Sequence, residues 1–286
     1  MTFFKILILA IVQGAAELLP VSSSAHVIVA AKLMGLDPTR PEMTLLLVML
    51  HTGTMFAVIF YFWNSWKVSY FASRKVCRDS VKLIAVATVF TGAVGIALKL
   101  LIERFFFKNV PHAEIELLFG NLTLVAAALA AVGLLIIYAG IKGKRSEKTT
   151  LLSLREASLI GAVQGLCLPF RGFSRSGATI SAGLLLKIAK TKTEEFSFAL
   201  AVVVTPPIIV REVLRLLKAH DASLSNGASL SGLFYPSVLG MVFSFISGVL
   251  ALRWLSSWLE CGRWQLFGLY CLCASFVVFL LQRGGF

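Results

Sequence analysis

Two polar segments, each embedded in an apolar stretch, hold the residues of this chain best suited to chemistry. The first contains Val12-Gln13-Gly14, then Glu17, and then Leu19-Pro20-Val21-Ser22-Ser23-Ser24-Ala25-His26. The second contains Val163-Gln164-Gly165, then Leu168-Pro169-Phe170-Arg171-Gly172-Phe173-Ser174-Arg175-Ser176-Gly177-Ala178-Thr179. Carboxylates, imidazoles and guanidiniums are costly against hydrocarbon, so within apolar segments they read first as a functional site. In the second segment, Arg175 offers a planar fork suited to phosphate oxygens, and Arg171 adds a second charge. Gly172 lets backbone amides approach a ligand, Ser174, Ser176 and Thr179 supply hydroxyls, and the helix start that follows favours an anion. The competing reading makes the serines and glycines packing residues and lets the arginines snorkel to the interface. In the first segment, Gln13 and Glu17 are one helical turn apart, as are Ser23 and His26 if the chain is helical there. A carboxylate, a hydroxyl and an imidazole form a hydrolytic set of nucleophile, base and orienting group. Phosphoryl transfer needs mainly in-line positioning and charge stabilisation, so a nucleophile with an arginine cradle is sufficient in outline. Either Ser23, with His26 as its base, or His26 itself can be the nucleophile.

The rest of the chain must hold these segments inside a membrane. Of 286 residues, 58% are hydrophobic and 14% charged, and the mean hydropathy is +0.86. These values define an all-α polytopic integral membrane protein whose first partners are membrane lipids. The net charge of +13 fits cationic loops facing an anionic leaflet, and no basic run interleaved with aromatics points to nucleic acid. Cys77, Cys167, Cys261, Cys271 and Cys273 lack metal-ligand spacing and read as small hydrophobes.

Six stretches are long and apolar enough to cross a bilayer: about Thr44–Phe62, Leu83–Ile102, Leu117–Gly140, Phe196–Leu217, Phe234–Leu255 and Trp264–Leu281. Two more, Phe3–Met34 and Ala157–Ile188, are interrupted by the polar segments and read as re-entrant pairs of half-helices, which are tolerated only where protein or a wet cavity surrounds them. Lys67, Arg74, Lys75, Arg78, Lys82, Lys142, Lys144, Arg145 and Lys148 place their loops on the cytoplasmic side, while Arg40, Lys99, Arg104 and Lys108 fall opposite. The chain thus reads as a single membrane domain, 1–286, of two halves, about 1–145 and 150–286. Each half is a hairpin followed by three spans. Three is odd, so the halves form an inverted-topology repeat.

Taken together, Gln13 and Glu17 followed by Pro20-Val21-Ser22-Ser23-Ser24-Ala25-His26, and Gly172-Phe173-Ser174-Arg175-Ser176-Gly177-Ala178-Thr179-Ile180-Ser181, resemble the undecaprenyl-diphosphate phosphatase family, the bacitracin-resistance phosphatases. Leu50-His51-Thr52-Gly53-Thr54 and Glu195-Phe196-Ser197-Phe198 also resemble family segments, so the likeness spans nearly the whole chain. It implies hydrolysis of undecaprenyl (polyprenyl) diphosphate to the monophosphate and inorganic phosphate, recycling the lipid carrier of cell-wall synthesis. It further implies a site opening towards the outer face of the bacterial inner membrane, and stimulation by a divalent cation, Mg2+ or Ca2+, with Glu17 as its protein ligand. On this resemblance Glu17, Ser23, His26 and Arg175 form the catalytic set. Gln13, Ser22, Arg171, Gly172, Ser174, Ser176 and Thr179 contact the substrate, and a homodimer is an assembly open to such a chain. The sequence departs from the pattern at Arg171, where the family commonly has proline, at Gln13, where many relatives have glutamate, and at Pro206-Pro207. An amide cannot hold a cation as a carboxylate does, which puts a two-carboxylate metal site in doubt. The rival reading is a secondary transporter or lipid translocase with a midplane substrate site, since broken helices in inverted repeats are transporter architecture. An acid-phosphatase-like mechanism would want a second histidine soon after Arg175, and none occurs before His220.

Overall fold

In a computed structural model, residues 2–36, 41–106, 121–143, 152–222 and 230–284 are described, except the side chains of 41, 42, 44, 208, 211, 212, 215–222 and 230–234. The orientation assigned above to Arg40, Lys108, Lys144, Arg145 and Lys148 falls outside them. Among the described residues every element is a helix: α1 (Phe3–Leu18), α2 (Ser23–Leu33), α3 (Pro41–Tyr70), α4 (Arg74–Phe106), α5 (Leu122–Lys142), α6 (Leu154–Cys167), α7 (Arg175–Leu185), α8 (Lys190–Ala222), α9 (Leu230–Glu260) and α10 (Trp264–Arg283). Five stretches among the described residues are long and apolar enough to cross a membrane: Leu45–Tyr70, Arg74–Phe105, Leu122–Lys142, Tyr235–Glu260 and Trp264–Arg283. The chain is therefore an all-helical, multi-pass membrane protein. The sixth expected crossing, 196–217, lies in α8 and is not among the five. That helix begins with Lys190, Lys192, Glu194 and Glu195, runs through Pro206 and Pro207, and continues into side chains outside the described set.

The two interrupted stretches are short helix pairs. At 1.5 Å per residue, α1 and α6 rise only about 24 and 21 Å, and α2 and α7 about 16 Å each, short of a roughly 30 Å hydrocarbon layer. Local chemistry explains the breaks. Pro20 forces the preceding residue out of the helical region, and Leu19 is extended at φ −71°, ψ 151°. Ser22 then takes φ 68°, a conformation costly for a residue with a Cβ. In the second pair, Gly172 at φ 97° completes the turn, and Ser174 caps α7 by accepting from the Gly177 N–H at 3.2 Å. The start of α6 is closed by a capping box between Ser153 and Glu156.

The chain forms two compact units. One comprises Met1–Leu19, Ser23–Trp63 and Ala201–Leu255; the other comprises Pro20–Ser22, Asn64–Leu200 and Ser256–Phe286. In the first, α1, α2 and α3 share a core of Ile6, Leu9, Ala10, Val27, Ala31, Met43, Leu46 and Leu50, and α9 packs on α1 and α3. A Cβ on Gly14 would stand 2.6 Å from the Ser244 carbonyl oxygen, and one on Gly53 2.3 Å from that of Met241. Only glycine permits backbones this close, the usual device for joining helices in lipid. Two serines of α9 add hydrogen bonds: Ser244 Oγ donates to the Leu50 carbonyl at 2.9 Å and Ser247 Oγ to that of Ile11 at 3.0 Å.

The second unit repeats the device with the corresponding helices of the other half. A Cβ on Gly161 would lie 2.2 Å from the Ala87 carbonyl oxygen, and one on Gly165 2.7 Å from that of Thr91. Thr91 Oγ1 donates to the Gly161 carbonyl at 2.9 Å. Thus Val12-Gln13-Gly14 rests on α9, and Val163-Gln164-Gly165 rests on α4. Elsewhere in this unit, Gly133 of α5 and Gly268 of α10 face each other, each leaving no room for a Cβ against the other's carbonyl.

Candidate active site

Glu17 occupies the last turn of α1 and Ser23 the first of α2, so the bend at Pro20 turns the hydroxyl back onto the carboxylate. Ser23 Oγ donates to Glu17 Oε2 at 2.5 Å, a length expected for an O–H bonded to an ionised acceptor. The same oxygen receives Gln13 Nε2 at 3.2 Å. Gln13 is almost wholly buried, 1% exposed, whereas the Glu17 side chain remains 20% exposed. The carboxylate is therefore held from one side by a buried amide and is partly exposed.

This arrangement alters the role suggested for His26. The sequence left His26 as either the base for Ser23 or the nucleophile itself, and the serine proton is directed to Glu17. His26 lies one turn further along α2 and is half-buried. A second histidine joins the group instead: His51 of α3 has Nδ1 at 3.0 Å from Gln13 Nε2 and 3.6 Å from Glu17 Oε2. Sequence reasoning gave His51 no chemical role, although an imidazole within an apolar span was a legible signal. Its position follows from the α9 clamp, because the carbonyls held by Ser244 and Ser247 belong to Leu50 and Ile11, immediately before His51 and two residues before Gln13.

The second segment is shaped around α7. Gly172 is required twice over: its φ is positive, and a Cβ would stand 2.5 Å from the Val125 carbonyl oxygen. Arg171 is exposed, Arg175 half-buried, and Ser174 and Ser176 buried, with their hydroxyls 3.4 Å apart. Thr179 is fully buried. Its hydroxyl bonds the Arg175 carbonyl at 2.8 Å and Ser197 Oγ at 2.6 Å, so it supports the turn that presents Arg175. Ser181, on the same helix, accepts from Trp264 Nε1 at 3.1 Å. The serines read from sequence as phosphate donors thus divide. Ser174 caps the helix, Thr179 braces it against α8, and the Arg175 side chain is the charge they carry. Ser22, in the strained turn before α2, is buried.

As a resident cation site the first segment does not fit. One carboxylate, Glu17, has its Oε2 engaged by two donors, and Gln13 turns its NH2 rather than its oxygen towards it. Among the described residues no group of three or more histidine, cysteine or acidic side chains could hold a metal ion.

The chain matches known proteins along almost its whole length. A family model described as Bacitracin resistance protein BacA matches residues 6–277. "Undecaprenyl-diphosphatase 2" of Acinetobacter baylyi is 57% identical over 284 residues, 98% of each chain. "Undecaprenyl-diphosphatase" of Fusobacterium nucleatum is 32% identical over 96% of this chain and 99% of its own, and that of Thermodesulfovibrio yellowstonii 30% over 97% and 96%. With the family model covering both polar segments and every helix between them, the chain belongs to the bacitracin resistance protein BacA family.

Proposed function

We propose that this protein hydrolyses undecaprenyl diphosphate to undecaprenyl phosphate and inorganic phosphate, regenerating the lipid carrier of cell-wall assembly at the outer face of the bacterial inner membrane. The names and near-complete coverage of its relatives support the substrate. The observation that carries the chemistry is the 2.5 Å hydrogen bond from Ser23 to Glu17. A serine hydroxyl is a weak nucleophile until a neighbouring base takes its proton, and Glu17 is already bonded to that proton.

In this reading Ser23 Oγ attacks the terminal phosphorus as its proton passes to Glu17, and the bond from phosphorus to the bridging oxygen breaks. Undecaprenyl phosphate departs, and water then releases phosphate from the serine. Arg175 is the proposed ligand for the phosphate charge, with Arg171 a second, more solvated cation. The Gly172 turn and the capped start of α7, with Ser174, Ser176 and Thr179, fix the Arg175 backbone. His26 and Ser22 complete the proposed set as polar contacts to the diphosphate. A divalent cation, Mg2+ or Ca2+, is proposed to arrive on the diphosphate, since Mg2+ is commonly bound through few carboxylates and several phosphate oxygens. The paired packing of Gly14 on α9 and Gly165 on α4 supports two related halves in inverted topology.

Phosphate release from undecaprenyl diphosphate by the purified protein in detergent, with and without chelator, tests the reading. Turnover lost in Ser23→Ala is the expected outcome. Wild-type protein that binds the lipid yet releases no phosphate would instead favour a lipid translocase.

A further inference from the structure

His51 is a titratable group bonded into the Gln13–Glu17–Ser23 cluster that the proposed chemistry leaves unused. It stands in the apolar stretch Leu45–Tyr70, where an imidazole is retained at a cost. The chain fixes its place closely. Thr54 Oγ1 donates to the His51 carbonyl at 2.9 Å, Ser244 holds the preceding carbonyl, and Gly53 lies against the α9 backbone.

The Gln13 atom 3.2 Å from Glu17 Oε2 must be the NH2 end, because an amide oxygen there would face a carboxylate oxygen. That nitrogen carries two hydrogens. One points to Glu17, and the other points to His51 Nδ1 at 3.0 Å. To receive it, Nδ1 must present its lone pair, so the neutral ring carries its proton on Nε2. Deprived of a hydrogen, Nδ1 cannot donate to Glu17 Oε2 3.6 Å away, and that oxygen stays available to Ser23.

We infer that His51 is a positioning residue: by accepting from Gln13 it locks the amide with its NH2 on Glu17 Oε2, and so holds that oxygen where the Ser23 proton is delivered. Without an acceptor at the Nδ1 position the amide loses one of its two anchors and can turn. Gln13 and His51 are therefore a matched pair. A glutamate at position 13 has no hydrogen to offer Nδ1, so His51 would have to take the Nδ1–H tautomer and donate instead. The inference rests on Glu17 and Ser23 being the reacting pair, which Ser23→Ala examines separately.

Three variants of the full-length protein in detergent separate the roles. Asparagine at 51 places its side-chain oxygen near the position of Nδ1, glutamine places its polar end near that of Nε2, and leucine supplies neither. His51→Leu and His51→Gln should lose kcat by about 10–100-fold, the range for partners that orient a reacting group, with KM for undecaprenyl diphosphate unchanged, and His51→Asn should recover most of the loss. Recovery by glutamine but not asparagine would place Nε2 on the substrate and overturn the assignment. Equal losses in all three, or wild-type kcat in His51→Leu, would overturn it too. A readout independent of turnover is the 15N shift of the His51 ring in substrate-free protein: a hydrogen on Nε2 with Nδ1 bare is expected, and a hydrogen on Nδ1 refutes the lock. In Gln13→Glu the same nuclei should report a hydrogen on Nδ1.

Discussion

Replacing Glu17 by glutamine removes the acceptor of the Ser23 proton while preserving almost the whole side-chain volume. The new amide oxygen can still accept from Gln13 Nε2, which lies 3.2 Å from the present Oε2, so the bend between α1 and α2 should survive. What is lost is basicity: an amide cannot take the hydroxyl proton that the carboxylate accepts at 2.5 Å. General-base catalysis is worth about 10²–10⁴-fold, so kcat should fall by roughly 10³-fold, with KM little changed because Glu17 is not the charge ligand of the phosphate. Ser23→Ala should fall at least as far. Because the two groups serve one proton transfer, the double variant should be no slower than Ser23→Ala alone, the strong non-additivity expected of residues acting as a unit. Inorganic phosphate released from undecaprenyl diphosphate in detergent, followed over single and multiple turnovers, measures all four proteins. Melting curves of each confirm the fold. A Glu17→Gln enzyme within tenfold of wild type would refute the reasoning, as would a double variant whose loss equals the product of the two single losses.

Arg175→Ala should lower turnover by about 10²-fold or more, as for removal of one preorganised charge contact. Arg175→Lys should recover little, since an ammonium lacks the fork; near-normal turnover in the alanine variant would remove phosphate binding from this turn. Gly172→Ala meets both a positive φ and the Val125 carbonyl. With about 1–2 kcal/mol for the backbone and about 1–3 kcal/mol for overpacking, it should destabilise by about 2–5 kcal/mol. Gly92→Ala, which enters open space, serves as the control, and equal melting temperatures for the two variants would contradict this. Glu194 lies just ahead of the apolar part of α8. Burial pushes its carboxyl up to about 7, against the hydrogen bond from Ser256 and with help from Glu260 and Glu195. A carboxyl raised on folding contributes stability that is complete below its unfolded value and is lost as pH rises through its folded one. Glu194→Gln should therefore melt above wild type at pH 8 and converge with it at pH 5; the same difference at both would argue against a protonated Glu194.

Composition and periodicity determined what kind of protein this is. Long apolar runs can satisfy their backbone in lipid only as helices. The breaks at Leu19-Pro20 and at the Gly172 turn were likewise legible, because proline and a glycine of positive φ act through the backbone alone. Segment chemistry also marked Glu17, Ser23, Gln13 and Arg175, as residues too costly to keep in hydrocarbon without use. Tertiary structure decided which of them meet. Spacing suggested that Ser23 pairs with His26 one turn away, but the angle of the α1–α2 bend turns its hydroxyl back to Glu17 instead. It also brought in His51, whose approach to Gln13 depends on α9 gripping two distant helices through Gly14, Gly53, Ser244 and Ser247. No local pattern encodes that contact: close backbone packing between residues some two hundred positions apart in sequence sets it, and a hydrogen bond reads tenths of an ångström that only the assembled helices fix.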